Sequence, residues 1–150
     1  MSIEAEALQL VTDLCVRFEG VVLRPYLCPA GVPTIGVGST RYADGRAVLL
    51  SDPPISRDEA LQLLATTLRR QYLPAALTLC SGADTPGRLA ALVDFAYNCG
   101  VGNLKASTLR KRVNAGDWEA VPGELCKWVR GGGRVLPGLV RRRQAEAAMI

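Results

Sequence analysis

The 150-residue sequence contains no histidine. That absence excludes a Ser-His-Asp triad, a Cys-His nucleophile pair, an HExxH zinc protease and Cys/His zinc fingers. Any acid-base chemistry must fall to carboxylates, thiols, lysines or tyrosines. Aromatic residues are scarce, at 5%, and are not interleaved with the basic residues, which argues against specific nucleic-acid binding. Long apolar runs are also missing. The longest is the five residues Leu89 to Val93, far short of the roughly 20 of a membrane span. Met1 to Glu6 hold two glutamates and no Lys or Arg, so they do not form a signal-peptide n-region. The chain is therefore expected to be made in, and to stay in, a cytoplasm. The five cysteines (Cys15, Cys28, Cys80, Cys99 and Cys126) form no CxxC, which disfavours a zinc site or a thioredoxin-type motif. Their odd number leaves at least one thiol free, and most read as small buried hydrophobes in a reducing compartment. No metal or organic cofactor is implied.

What is present fits an ordinary soluble globular protein, with 49% apolar and 21% charged residues. At this length a chain buries roughly two-thirds of its unfolded surface and needs no metal or disulfide for a core. The net charge of +4 is uneven. Residues 1–75 carry 7 Lys+Arg against 8 Asp+Glu, whereas residues 76–150 carry 11 against 6. A basic half suggests an anionic partner, or else a solvated face.

Residues 3–18 carry apolar side chains at helical spacing, with Ser2 as N-cap and Gly20 as the stop. Residues 21–50 are rich in Gly and β-branched types and read as three short strands near 23–28, 33–38 and 46–50, forming a small antiparallel sheet. Ser56-Arg57-Asp58-Glu59 is a capping box that opens a helix, and its apolar pattern runs to Leu79 past a kink or stop at Pro74. Helices follow from Thr85-Pro86 to Tyr97, from Ser107 to Asn114, from Asp117 to about Val129, and from Pro137 to the end, with a break at Gly131-Gly132-Gly133. Trp118 and Trp128 read as core residues.

The segment from Phe18-Glu19-Gly20 to Thr34-Ile35-Gly36-Val37-Gly38 is the most specific. Glu19 sits where a helix ends against the sheet, and the helix dipole there disfavours a charged carboxylate. A protonated carboxyl is what a general acid for a glycosidic oxygen requires. A hairpin between Cys28 and Thr34 would turn both polar tips to one side, facing Glu19. Gly36 and Gly38 would leave a bare strand face for close substrate approach.

This stretch resembles the active-site hairpin of the phage-type lysozymes, the endolysin family of glycoside hydrolases. Their pattern is Glu, eight residues, Asp or sometimes Cys, five residues, Thr, and Glu19, Cys28 and Thr34 fall on it without a gap. Phe95-Ala96-Tyr97-Asn98-Cys99-Gly100-Val101-Gly102, Ser107-Thr108-Leu109, Asn114-Ala115-Gly116-Asp117 and the stretch from Gly132 to Arg143 resemble that family's cleft helix, loop and closing helices.

The resemblance implies a single α+β, lysozyme-like domain over residues 1–150. A small N-terminal lobe (about 13–55) with a β-hairpin or three-stranded sheet would be joined by a long helix (56–79) to a helical lobe (80–150 plus 1–12). It implies a muramidase that hydrolyses the β-1,4 bond between N-acetylmuramic acid and N-acetylglucosamine of peptidoglycan, causing host lysis. Alternatives are a catalytically weak glycan-binding module and a lytic transglycosylase. The enzyme would act as a monomer, waiting in the host cytoplasm until a holin-type pore admits it to the periplasm and wall.

By the same resemblance Glu19 is the general acid, Thr34 holds water or sugar, and Cys28 stands where an aspartate is commoner. A thiol ionises near pH 8.5, and a nearby Glu19 carboxylate would raise that value. Cys28 would orient water as a partial thiolate supported by Arg24 or another cation. Otherwise it is a redox-sensitive position pairing with Cys15 or another thiol, or a neutral spacer. Asn98 either reads an N-acetyl or hydroxyl group or caps its helix. Ser107 and Thr108 are sugar contacts or N-caps, and Tyr26 lines the cleft or packs on the sheet. The basic set Lys105, Arg110, Lys111, Arg112, Arg141, Arg142 and Arg143 would contact an anionic envelope.

Overall fold

The computed structural model describes all residues 1–150. Helix α1 spans Ile3–Glu19, and the Ser2 hydroxyl accepts the Ala5 amide at 3.1 Å. Gly20, at φ 73°, ends it, a left-handed geometry that residues with a Cβ disfavour. Strands β1 (Val22–Leu27) and β2 (Pro33–Gly36) then pair antiparallel, with Tyr26 opposite Thr34 and Leu27 opposite Pro33.

The third strand expected at 46–50 does not form, and an isolated Arg41–Ala47 bridge is its only trace. Side chains take over the local backbone there. The Asp44 carboxylate accepts the Arg46 amide and Asp52 accepts the Leu49 amide, each at 2.9 Å, so turns replace ladder bonds. Strand β2 also stops early, because Gly36 and Gly38 take φ values of 70° and 71° and turn the chain.

The capping box at Ser56 and Glu59 is formed and opens α2 (Arg57–Thr67). Where a kink was expected at Pro74, the helix widens into one π-helical turn over Leu68–Tyr72 before resuming as α3 (Leu73–Leu79). Pro74 has no amide hydrogen and its ring crowds the carbonyl four residues back. The Leu73 amide instead reaches the Leu68 carbonyl, five residues back.

Helix α4 (Pro86–Cys99) starts at the expected Thr85 N-cap, and every residue from Leu89 to Ala96 is buried. Helices α5 (Val101–Ala106) and α6 (Thr108–Asn114) follow. The long helix expected from Asp117 shrinks to α7 (Val121–Leu125). Turns fill its place on either side, including an Ala120 amide bonded to the Asp117 carbonyl, and Pro122 offers no donor to a preceding turn. The glycine break becomes a small hairpin of β3 (Arg130–Gly131) and β4 (Arg134–Val135), and α8 (Pro137–Ala147) closes the chain.

The main core surrounds α4 and gathers residues from α1, α3 and α5 to α7, with Trp118 and Trp128 packed on it. A smaller cluster joins Ile35, Val48 and Leu63. Helix α2 spans the two, since Leu63 serves the small cluster and its neighbour Leu64 the large one. All five cysteines are unpaired; Cys15 and Cys80 are buried as expected, but Cys126 is exposed.

Arg142 and Arg143 are not on the surface. They are 3% and 0% exposed, because carboxylates wait for them in the core. Arg142 holds Asp94 with two hydrogen bonds, Nε to Oδ2 at 2.9 Å and Nη2 to Oδ1 at 2.8 Å. Arg143 Nη2 donates to Glu146 Oε2 at 2.8 Å and to Asn98 Oδ1 at 2.8 Å. Burial opposes the charge on Asp94, but hydrogen bonds from Glu146 and Arg142 hold its carboxyl below the usual range. Burial, then the Asp94 carboxylate beside it, push Glu146 well above the usual range, against the pull of Arg143. Two carboxylates so close cannot both ionise easily, so a proton on Glu146 relieves its repulsion with Asp94.

This sets a pH dependence. Glu146 binds its proton more tightly folded than unfolded, so its stabilisation is full below the unfolded value of about 4.3 and is lost as pH rises towards the folded one, by up to ~1.4 kcal/mol per pH unit. Glu146→Gln needs no proton. Its melting temperature should match that of the natural chain at about pH 4.5 and exceed it increasingly up to about pH 8 in a thermal-denaturation series. A variant that is less stable at pH 8 would show that Glu146 is an ionised partner of Arg143.

Candidate active site

Glu19 is the last residue of α1, put there by the glycine stop at position 20. Its side chain is 27% exposed, and Arg142 Nη1 donates to its Oε1 at 2.6 Å. The sequence reading, in which the helix dipole alone acts on Glu19, is therefore corrected: a charged partner arrives from α8. Arg142 is itself fixed by Asp94, so a rigid Asp94–Arg142–Glu19 chain runs from the core to the surface. The Cys15 thiol lies behind it, 3.5 Å from Asp94 Oδ1. Burial, with Asp94 next to it, drives that thiol far up from its ordinary value.

The other oxygen of Glu19, Oε2, faces Gly38. A Cβ built at Gly38 would lie 3.0 Å from Oε2 and 3.3 Å from the Tyr97 hydroxyl. Position 38 is thus restricted by space as well as by its positive φ. The Tyr97 hydroxyl donates to the Val37 carbonyl at 2.7 Å, which ties α4 to the glycine turn after β2.

The β1–β2 hairpin carries the other predicted residues. Its turn is closed by the Cys28 amide to the Val32 carbonyl at 3.1 Å and the Gly31 amide to the Cys28 carbonyl at 2.8 Å. The Thr34 hydroxyl donates to the Val32 carbonyl at 2.8 Å. The Cys28 thiol is lowered from its ordinary value, first by the Val32 amide and then, against some desolvation, by the Ala30 amide and its own amide. The expectation that Glu19 would raise it is overturned, because a nest of backbone amides acts at closer range. The support comes from those amides and not from Arg24. Tyr26, opposite Thr34, is half-buried and feels the charges of both Glu19 and Cys28. The hairpin therefore brings Tyr26 near Thr34 and Cys28, and Tyr26 alone of the three senses Glu19; none of them lines the two cavities beside Glu19.

Two cavities open beside Glu19. One, of about 640 Å³, is lined by Glu19 with Phe18, Asn98, Arg142 and the start of α8. The other, of about 300 Å³, lies beyond Gly38 and Tyr97. Asn98 is not a cap, since its helix continues to Cys99 and ends at Gly100. Its Oδ1 accepts from Arg143, which leaves the amide nitrogen for the cavity. Ser107 and Thr108 are not brought to Glu19. Ser107 is the buried N-cap of α6, bonded to the Arg110 amide at 3.0 Å and to the Leu104 carbonyl at 2.7 Å, and neither residue lines the two cavities.

Sequence reasoning missed Arg142, Asp94 and Tyr97. The signal for Asp94 was available: it is the single charged residue in an apolar helical stretch, and a buried carboxylate demands a cation. Arg142 gave no comparable signal within a run of three arginines.

The phage lysozyme family model matches residues 16–146. The chain is 33% identical over 138 residues to the endolysin of Bacillus phage B103, covering 92% of this chain but only 51% of that protein. It is 33% identical over 152 residues to the SAR-endolysin of Haemophilus phage HP1 (strain HP1c1), covering 91% of this chain and 76% of that protein. Among solved structures, the endolysin from Escherichia coli O157:H7 phage FAHEc1 superposes with a TM-score of 0.83 at 29% identity, over 99% of this chain and 92% of that one. With the helix-end glutamate, the glycine-turned hairpin and the cleft already in place, this match settles the lineage: the chain belongs to the phage lysozyme family and is a lysozyme-type glycosidase.

Proposed function

We infer that the chain is an endolysin-type muramidase that cleaves the β-1,4 bond between N-acetylmuramic acid and N-acetylglucosamine of peptidoglycan, with Glu19 as general acid. The observation that carries this is the setting of Glu19. One oxygen is held at 2.6 Å by a buried arginine, and the other faces a bare glycine between two cavities. A glycan strand laid in the larger cavity would bring a glycosidic oxygen to Glu19. Arg142 occupies Oε1, so the transferable proton belongs on Oε2.

The second role is water delivery. Cys28, pulled towards the thiolate by the hairpin amides, is a better acceptor than an ordinary thiol and takes the place of the commoner aspartate. Thr34 already donates to Val32, and its oxygen lone pairs remain to accept from the water. Tyr26 walls the site, and the Asn98 amide donates to an N-acetyl carbonyl. A redox pairing of Cys28 with Cys15 loses support, because Cys15 lies buried behind Arg142 beside Asp94. The chain would work as one two-lobed domain and as a monomer. No helix is long and apolar enough to cross a membrane, and we propose that release to the periplasm depends on a holin-type pore. Surface contact with an anionic envelope falls to Lys105, Lys111, Arg112 and Arg141, all exposed.

In a zymogram with embedded peptidoglycan, Glu19→Gln should clear at least about 100-fold less than the natural chain. Equal clearing by both would remove Glu19 from the mechanism. Mass spectrometry of the products should find reducing ends, and anhydromuramic ends would mark a transglycosylase instead. Among Cys28 variants, Asp should keep activity and lose the alkaline-side rise that accompanies thiol ionisation, while Ala should drop it by roughly 10-fold or more. Full activity in Cys28→Ala would end the water-orienting role. Gly38→Ala should cost about 1–2 kcal/mol in stability and most of the activity by displacing Oε2. Unchanged turnover would mean that Glu19 works from another position.

A further inference from the structure

The smaller cavity does more than extend the cleft. It begins at Gly38 and Tyr97, immediately beside Glu19 Oε2, and runs to Arg41 and Arg70. Both arginines are exposed, and neither forms an ion pair. No acidic residue lines the cavity. Each guanidinium is steadied by one loop carbonyl, Arg41 Nη1 by Gly45 at 2.9 Å and Arg70 Nη1 by Ala43 at 3.4 Å, which leaves the remaining N–H groups of each fork unused. A second, independent feature lies on the same wall. Ser39 is 5% exposed, and its hydroxyl has no hydrogen-bond partner in the protein. A buried polar atom in that state belongs with a ligand group.

Two guanidinium forks and a hydroxyl, with no acid to neutralise them, supply the donors that a carboxylate accepts. We propose that this cavity is a specificity subsite in which Arg41, Arg70 and Ser39 bind a free carboxylate of the peptide stem attached to the muramic acid residue. The proposal rests on the muramidase reading, which puts that sugar beside Glu19. The N-acetylated sugars are neutral, and the lactyl carboxyl is consumed in the amide link to the stem. The nearest anionic groups on the substrate are therefore those of the peptide. A volume of about 300 Å³ holds on the order of ten waters, which suits one or two amino-acid units and not a further disaccharide.

The test compares soluble peptidoglycan fragments with natural stems against the same fragments whose stem carboxylates are converted to methylamides. For the natural chain, amidation should raise KM by roughly tenfold with kcat unchanged. The Arg41→Gln/Arg70→Gln double variant and Ser39→Ala should raise KM on natural fragments and leave it unchanged on amidated ones. Thermal melts check that the loop is intact. Equal loss on both substrates, or indifference of the natural chain to amidation, would overturn the proposal. Calorimetric binding of the same fragments to Glu19→Gln, with and without the two arginines, reads the subsite without turnover. Arginine-dependent binding without any cleavage by the natural chain would strike the muramidase reading and leave the subsite standing. Binding that ignores the arginines would sink the subsite alone. Glycerol phosphate that displaces the fragment through these arginines, where an N-acetylated dipeptide carboxylate does not, would overturn the peptide assignment in favour of a wall phosphate.

Discussion

The grip of Arg142 on both Asp94 and Glu19 is the constraint around which the molecule is organised. A guanidinium this deeply buried survives only with carboxylates on it from the start. Asp94 supplies one from the middle of the most buried helix, and Glu19 supplies the other from the end of the first. The last helix must therefore dock against the first and the fourth for the ionic set to close. An isolated ion pair of this kind adds little to stability, and breaking it by removing one partner is costly. What the pairing provides is position: the Glu19 carboxyl cannot swing, because its partner cannot.

The hairpin side of the cleft works by different means. No charge network holds it, and backbone geometry does the placing. Gly20 ends a helix so that its last residue meets the sheet. Gly38 turns the strand so that peptide, and not a side chain, lies against Glu19. The Cys28–Val32 turn carries the amides that lower the Cys28 thiol. Glu19 thus stands between a wall fixed by electrostatics and a wall fixed by main-chain conformation, with the Tyr97–Val37 hydrogen bond joining the two.

Much of this was legible in the sequence because it depends on local chemistry. Ser2, the Ser56–Glu59 box and Thr85-Pro86 are capping signals, and each helix begins where its signal stands. Glu19, Cys28 and Thr34 were singled out through the family resemblance, because spacing alone leaves a glutamate, a cysteine and a threonine with ordinary structural roles. The strand at 46–50 was misread because Asp44 and Asp52 capture amides that a β-pattern assigns to a ladder. The helix after Asp117 was misread because Pro122 and the turn before it outweigh helical periodicity. Arg142 was assigned to the solvent because charge alone does not say which arginine of three faces inward. That depends on Asp94, which lies 48 residues away in sequence and meets it only in the folded chain.

The π-helical turn over Leu68–Tyr72 has a geometric consequence for how such a protein can vary. One surplus residue in a helix rotates everything beyond it by about 100°. Here that rotation keeps Leu73 and Ala76, beyond the turn, on the same core as Leu64 and Leu68 before it. A one-residue deletion between positions 68 and 72 would swing Leu73 and Ala76 off that core. Insertions and deletions should therefore be excluded from this segment even where single substitutions of its exposed residues Arg69, Arg70 and Gln71 are freely accepted by the fold.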